Sequence, residues 1–141
     1  DPSKTQLTKL EAKKIYKTSE VVLLGYGNFP TEETKEQYDL VTAAGVFWKG
    51  HMPREGMEEI HGYLKPGGYF ITAMRDFYYT EGESEMRYYS QINKMLDEKQ
   101  FELVKKYTFK RGLSNEANTS NNPLFNEFTS ICFVFRKTGY E

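Results

Sequence analysis

The side chains able to carry chemistry in this 141-residue chain are few: two histidines, one cysteine and 20 carboxylates spread along its length. His51, within Gly45-Val46-Phe47-Trp48-Lys49-Gly50-His51-Met52, is the candidate general base, because an unperturbed imidazole titrates near neutrality. Packing or capping of the turn before Pro53 is the plainer role for it. His61 falls inside a helical pattern and reads as a surface or boundary residue. Asp76, Tyr78 and Tyr79 follow an apolar strand pattern and could shape a substrate pocket, or serve as ordinary loop and packing residues. Cys132, between Ile131 and Phe133, reads as a buried small hydrophobe. A lone cysteine forms no internal disulfide, and no Cys/His cluster has metal-ligand spacing, so no metal is expected.

These groups depend for their placement on Tyr63-Leu64-Lys65-Pro66-Gly67-Gly68-Tyr69-Phe70-Ile71, where a helix stops and an apolar strand begins within three residues. Pro66 denies a backbone donor and pushes Lys65 out of helical geometry, and Gly67 sits where a type II turn needs positive φ. Upstream, Met57, Ile60 and Leu64 recur at helical spacing over Arg54 to Leu64; downstream, Tyr69 to Met74 reads as strand. Tyr38 to Ala44 is a nearly continuous apolar run, the pattern of a parallel strand covered on both faces. Strand, helix and strand make a βαβ crossover.

On either side the pattern continues. Ser3 and Gln6 form the start of a capping box for a helix ending near Tyr16, with Leu7, Leu10 and Ile15 on one face. Glu20 to Leu24 reads as a buried strand bounded by Gly25, and 31–37 as a loop. Met86, Tyr89, Ile92 and Leu96 predict a helix from Ser84 to about Lys99 with a core-facing stripe. Phe101 to Phe109 and Phe128 to Lys137 are expected to pair antiparallel across an exposed, mobile Gly112 to Pro123 connection. Asn118-Thr119-Ser120, a glycosylation sequon by pattern, reads there as loop chemistry.

The formal net charge is −1, with 19 basic residues scattered among 20 acidic ones, so no electrostatic footprint for nucleic acid or an anionic membrane appears. No apolar run approaches the roughly 20 residues of a spanning helix. A cytoplasmic location and a single domain's worth of material are expected, and Asp1-Pro2-Ser3 reads as the interior of a longer protein.

"YDLVTAAGVF", a helix and then "LKPGGYFI" resemble the fourth and fifth strands of class I S-adenosylmethionine-dependent methyltransferases. The segment "GHMPREGMEEIHGYLKPGGYF" is most similar to the Williams-Beuren-region methyltransferase-like proteins, and the likeness runs from Asp1 to about Arg111. It implies an α/β, Rossmann-like sheet in the order three-two-one-four-five-seven-six, with the last strand antiparallel. Val21 to Leu24 would then be strand three, and strands four to seven would follow in the chain. The whole of 1–141 would be the carboxyl-terminal portion of one methyltransferase-like domain.

The resemblance implies S-adenosylmethionine as cofactor. Asp1, at the end of strand two, would accept hydrogen bonds from its ribose; Tyr26 and Gly27 would lie by the adenine, and Ala44 and Gly45 would allow close approach of the methionine end. Tyr26 stands where the family often has an acidic residue, which leaves the usual hydrogen bond to the adenine amine without its acceptor. Phe47, Trp48, Asp76 and Tyr78 would line the pocket of a small-molecule acceptor. Strand one and its glycine-rich loop have no counterpart. The expectation is that strands one and two come from the same polypeptide or a companion chain; a non-catalytic subunit of a larger assembly is the alternative. Gly25-Tyr26-Gly27-Asn28-Phe29-Pro30 is no dinucleotide fingerprint, because position six is proline and no apolar helix follows.

Overall fold

The computed structural model describes residues 1–80, 85–111 and 128–139. Its centre is a four-stranded sheet of order β1-β2-β4-β3, formed by β1 (Tyr38–Ala44), β2 (Leu64–Arg75), β3 (Phe101–Arg111) and β4 (Phe128–Lys137). β1 and β2 are parallel, joined by helix α2 (Gly56–Tyr63), whereas β4 runs antiparallel to both β2 and β3. This is the four-five-seven-six part of the expected sheet. The expected antiparallel pairing of the last two strands is present.

One face of the sheet carries the core. Phe70 opposite Phe135, Thr72 opposite Phe133 and Met74 opposite Ile131 alternate inward along β2 and β4, the period-two pattern of a pleated ladder. Onto them pack Met57 and Ile60 of α2 and Tyr88, Ile92 and Met95 of α4 (Tyr88–Asp97). Phe70 touches Phe101 and Phe135 with ring centroids 6.0 and 5.9 Å apart. The opposite face is open: Leu40, Tyr69, Tyr107 and Phe109 all stay more than a third exposed. Among the described residues no helix is long and apolar enough to cross a membrane.

Several expected elements differ in detail. The first helix, α1 (Lys4–Ala12), starts as expected, with Ser3 Oγ accepting the Gln6 N–H at 3.3 Å. It stops well before Tyr16, because Lys14 takes a left-handed conformation and Ile15, 73% exposed, finds nothing to pack on. Val21 to Leu24 is no ladder strand; its expected neighbours, strands one and two, are not among the described residues, and Val21 and Leu23 are exposed. β1 is not covered on both faces: it lies at the sheet edge, Ala43 is buried and Val41 packs against the core, while Tyr38, Leu40 and Thr42 stay exposed.

Gly67 has φ of +80°, as the turn requires, but Pro66-Gly67-Gly68 is a bulge inside β2. The register jumps from Tyr38 opposite Leu64 to Leu40 opposite Tyr69, so five residues of β2 advance against two of β1. The helix stripe over Ser84 to Lys99 is also shifted: Tyr88, Gln91, Ile92 and Met95 face inward, while Tyr89 is 39% exposed. Arg87 opens α4 from a left-handed conformation, which delays the helix and changes the face that meets the sheet. Phe77–Thr80 forms a short helix, α3, where a loop was expected. Gly112 to Pro123, with the Asn118 sequon, and Ser84 lie outside the described residues.

Candidate functional site

β1 and β2 are parallel, so the loops after Ala44 and Arg75 leave the sheet at one end. Gly45 continues the β ladder by one bond, its N–H donating to Ala73 O at 3.0 Å, and then turns with φ of +68°. The chain next buries Phe47 and exposes Trp48 and His51, whose rings stack with centroids 4.1 Å apart and planes 19° from parallel. A backbone bond from His51 N–H to Trp48 O, 3.0 Å, closes that turn.

Two tyrosines hold the loop from beneath. The Tyr78 hydroxyl accepts the Lys49 N–H at 2.8 Å, and the Tyr88 hydroxyl donates to Met52 O. Phe47, Tyr78 and Tyr88 pack edge-to-face as a cluster, with Phe47 and Tyr88 5.4 Å apart and Tyr78 and Tyr88 5.3 Å apart. Burial, and to a lesser degree the neighbouring Tyr78 and Glu55, push the Tyr88 phenol well above its ordinary value, so it remains a hydroxyl donor.

The segment after Leu24 approaches the same end from the side of α2. Both Glu59 carboxylate oxygens accept backbone amides there, from Gly25 and, at 2.8 Å, from Gly27. A Cβ on Gly25 would overlap the Pro53 ring, and one on Gly62 would sit 2.8 Å from Pro30 Cδ, so 25–30 runs directly along α2. Tyr26, between the two anchored glycines, is 61% exposed. Asp1 lies beside the preceding segment: its amino group donates to Glu20 O at 3.2 Å and its carbonyl accepts the Val22 N–H at 3.3 Å. These are the two bonds of a parallel bridge between Asp1 and Val21. The Asp1 carboxylate accepts the Ser3 N–H at 2.7 Å through one oxygen.

Tyr26, Gly27, Gly45, Trp48 and His51 therefore lie on exposed turns that follow extended segments, and Ala44 is the exposed last residue of β1. Two of the residues expected to line a pocket have different positions. Phe47 is 1% exposed and belongs to the core, and Tyr78 is 5% exposed and props the Lys49 amide. Asp76 is half-buried, its N–H donating to Thr129 O at the end of the sheet. His61 is a boundary residue as expected, edge-on to Phe101 at 5.1 Å; burial first, then the Lys137 charge, lowers its pKa. Cys132 is buried, and no group of three or more metal-ligating side chains occurs among the described residues.

Glu59 carried no signal on its own, since Glu58 beside it is chemically identical. Gly56, Glu59 and Gly62 recur every three residues, which puts two close-approach positions and a carboxylate on one helix face.

The comparisons with known proteins agree with this fold. N-methyltransferase NodS of Bradyrhizobium japonicum, solved in complex with S-adenosyl-L-homocysteine, superposes with a TM-score of 0.61 at 16% identity, over 99% of this chain and 65% of NodS. An S-adenosylmethionine-dependent methyltransferase of Mesorhizobium loti superposes with a TM-score of 0.59 at 15% identity, over 97% of this chain and 78% of its own. At such identities the likeness is one of fold. The chain spans less than two thirds of NodS. No curated protein matches it significantly by sequence. The sequence profile of the methyltransferase domain, however, matches residues 1–72, half of the chain, and by that match the chain belongs to the methyltransferase-domain family.

Proposed function

We propose that this chain forms part of an S-adenosylmethionine-dependent methyltransferase site for a small-molecule acceptor, completed by strands from the same polypeptide or a companion chain. The observation that carries the proposal is the Asp1–Val21 parallel bridge, with the 25–27 and 45–51 turns at the corresponding end of the fold. A parallel bridge outside any ladder, together with a β1 edge that has no partner strand among the described residues, is what two flanking pieces of one interrupted sheet present.

The residues fit the cofactor by their chemistry. Asp1 offers a carboxylate to ribose hydroxyls, the Tyr26 ring a flat surface beside an adenine, and Ala44-Gly45 a strand end without bulk. The cofactor supplies an electrophilic methyl group, and what the protein contributes is alignment and exclusion of water. Trp48, stacked on His51, offers an aromatic wall to the acceptor, and His51 is the candidate base for an acceptor proton. The scattered cations favour a small acceptor over a polyanion.

Binding of S-adenosylhomocysteine to the native polypeptide or complex, followed by calorimetry, tests the reading. Micromolar or tighter binding is expected, and saturation at 100 Kd should add about 2.7 kcal/mol to stability. The open sheet face, with Leu40, Tyr69, Tyr107 and Phe109, favours a second reading as a non-catalytic methyltransferase-like subunit of an assembly. Native material with no affinity for S-adenosylhomocysteine would decide for that alternative.

A further inference from the structure

Glu59 is an anionic side chain 7% exposed, and both of its oxygens are spent on backbone amides of another segment. Burying a carboxylate costs several kcal/mol unless donors surround it, so its presence calls for a reason. Its neighbour on α2, Glu58, has a different set of partners: Gln91 Nε2 at 3.0 Å, Gln100 Nε2 at 3.2 Å and Lys94 Nζ at 3.5 Å. Glu58 thus joins α2 to α4 and the start of β3, while Glu59 bonds to the 25–27 turn.

Apart from the contact of Gly25 with Pro53, that turn has no side chain of its own holding it to α2. Gly25 and Gly27 have φ of +99° and +81°, conformations favoured in glycine, and the Tyr26 side chain between them is exposed. Neither glycine carries a side chain that could anchor it. Two amides pointing at one carboxylate fix the turn in the conformation that sends Tyr26 outward, away from α2. Gly62, a turn below Glu59, lets Pro30 lie against α2, and Gly25 packs on the Pro53 ring close to the Gly56 amide, so the segment runs near enough for the carboxylate to reach.

We infer that Glu59 is the positioning residue of the adenosine end of the cofactor site: by binding the Gly25 and Gly27 amides it holds Tyr26 and the turn ready for the adenine. The inference rests on the methyltransfer reading above. Glu59 touches no cofactor itself; it removes the need to order a glycine-flanked turn at the moment of binding, a cost otherwise taken from affinity.

The test compares Glu59→Gln with Glu58→Gln in the native polypeptide or complex. The glutamine is isosteric but turns an amide toward one of the glycine donors, while Glu58→Gln perturbs the same helix without touching the turn. Glu59→Gln should weaken S-adenosylhomocysteine binding at least tenfold, which corresponds to about 1.4 kcal/mol, and raise the KM for the methyl donor with kcat little changed. Glu58→Gln should leave that affinity within twofold. In the unliganded wild type the Gly25 and Gly27 amides should exchange with solvent at least tenfold more slowly than an exposed loop amide, a readout that needs no variant to fold.

Unprotected amides in the wild type, or equal affinities for wild type and Glu59→Gln, would overturn this role while leaving methyl transfer intact. A wild type with protected amides but no affinity for S-adenosylhomocysteine would overturn the methyltransfer reading, and this one with it.

Discussion

The hydroxyl of Tyr88 donates to the carbonyl oxygen of Met52, joining the first turn of α4 to the end of the loop that follows β1. Thirty-six residues separate the partners, and the bond is the point at which α4, otherwise a core helix, reaches the exposed Trp48–His51 turn.

Tyr88→Phe keeps the ring contacts with Phe47 and Tyr78 and deletes only the donor. A loss of about 1–3 kcal/mol is expected in urea unfolding, because a part-buried carbonyl is left without its partner. The phenol's raised pKa adds an alkaline signature. The folded state holds the proton more tightly than the unfolded one, so this contribution is complete below about pH 10, the unfolded value, and declines above it. Titration of stability from pH 8 to 11 should show a decline that Tyr88→Phe reduces.

His61 has the opposite sign. Burial lowers its pKa, so the unfolded chain binds the proton more readily and stability rises with pH across the window below the ordinary histidine value. Melting temperature should fall as pH drops from about 7 through 6.5 and below. A His61→Phe variant, which keeps an aromatic ring against Phe101, should show a flatter profile over that range.

Gly25 and Gly27 provide a matched pair. Both have positive φ, but a Cβ at Gly27 would meet nothing within 4 Å, whereas one at Gly25 would overlap Pro53. Gly27→Ala should therefore cost about 1 kcal/mol in backbone strain alone, and Gly25→Ala more than 2 kcal/mol, as measured by chemical denaturation. Equal losses would mean that the 25–27 turn does not lie against Pro53.

Lys137 is a cation with an 8% exposed side chain, and its ammonium donates to Leu64 O at 2.8 Å, His61 O at 3.0 Å and Glu36 Oε1 at 3.1 Å. It satisfies carbonyls at the carboxyl end of α2, where a positive charge also complements the helix dipole. Lys137→Ala should destabilise by about 3 kcal/mol. Glu36, half exposed, should cost less than about 1 kcal/mol when replaced by glutamine. Thermal unfolding of the two variants separates the contributions.

Much of this fold was legible in local pattern. Met57 and Ile60 at helical spacing gave α2 and the apolar run Ile131 to Phe135 gave β4, because there the core decides which residues are apolar; the run Tyr38 to Ala44 gave β1 as a strand, although most of it is exposed. Leu23 and Tyr89 misled for one reason. Both are apolar residues that face solvent here, and periodicity records chemistry without recording what lies opposite. The site was legible in its loops, Gly45 to His51 and Gly25 to Gly27, but not in its supports. Tyr78, Tyr88 and Glu59 act through hydrogen bonds to backbone atoms more than 28 residues away, and such long-range pairings leave no local trace.

The outer edge of β1 presents amides and carbonyls in a row, flanked by Tyr38 and Leu40 at 47% and 51% exposure, with no proline and with Asp39 as its one charge. Such an edge recruits any extended segment within reach. The chain handled by itself at high concentration should consequently self-associate through strand addition, growing cloudier as it is concentrated and clearing when a short peptide of matching alternation occupies the vacant rung.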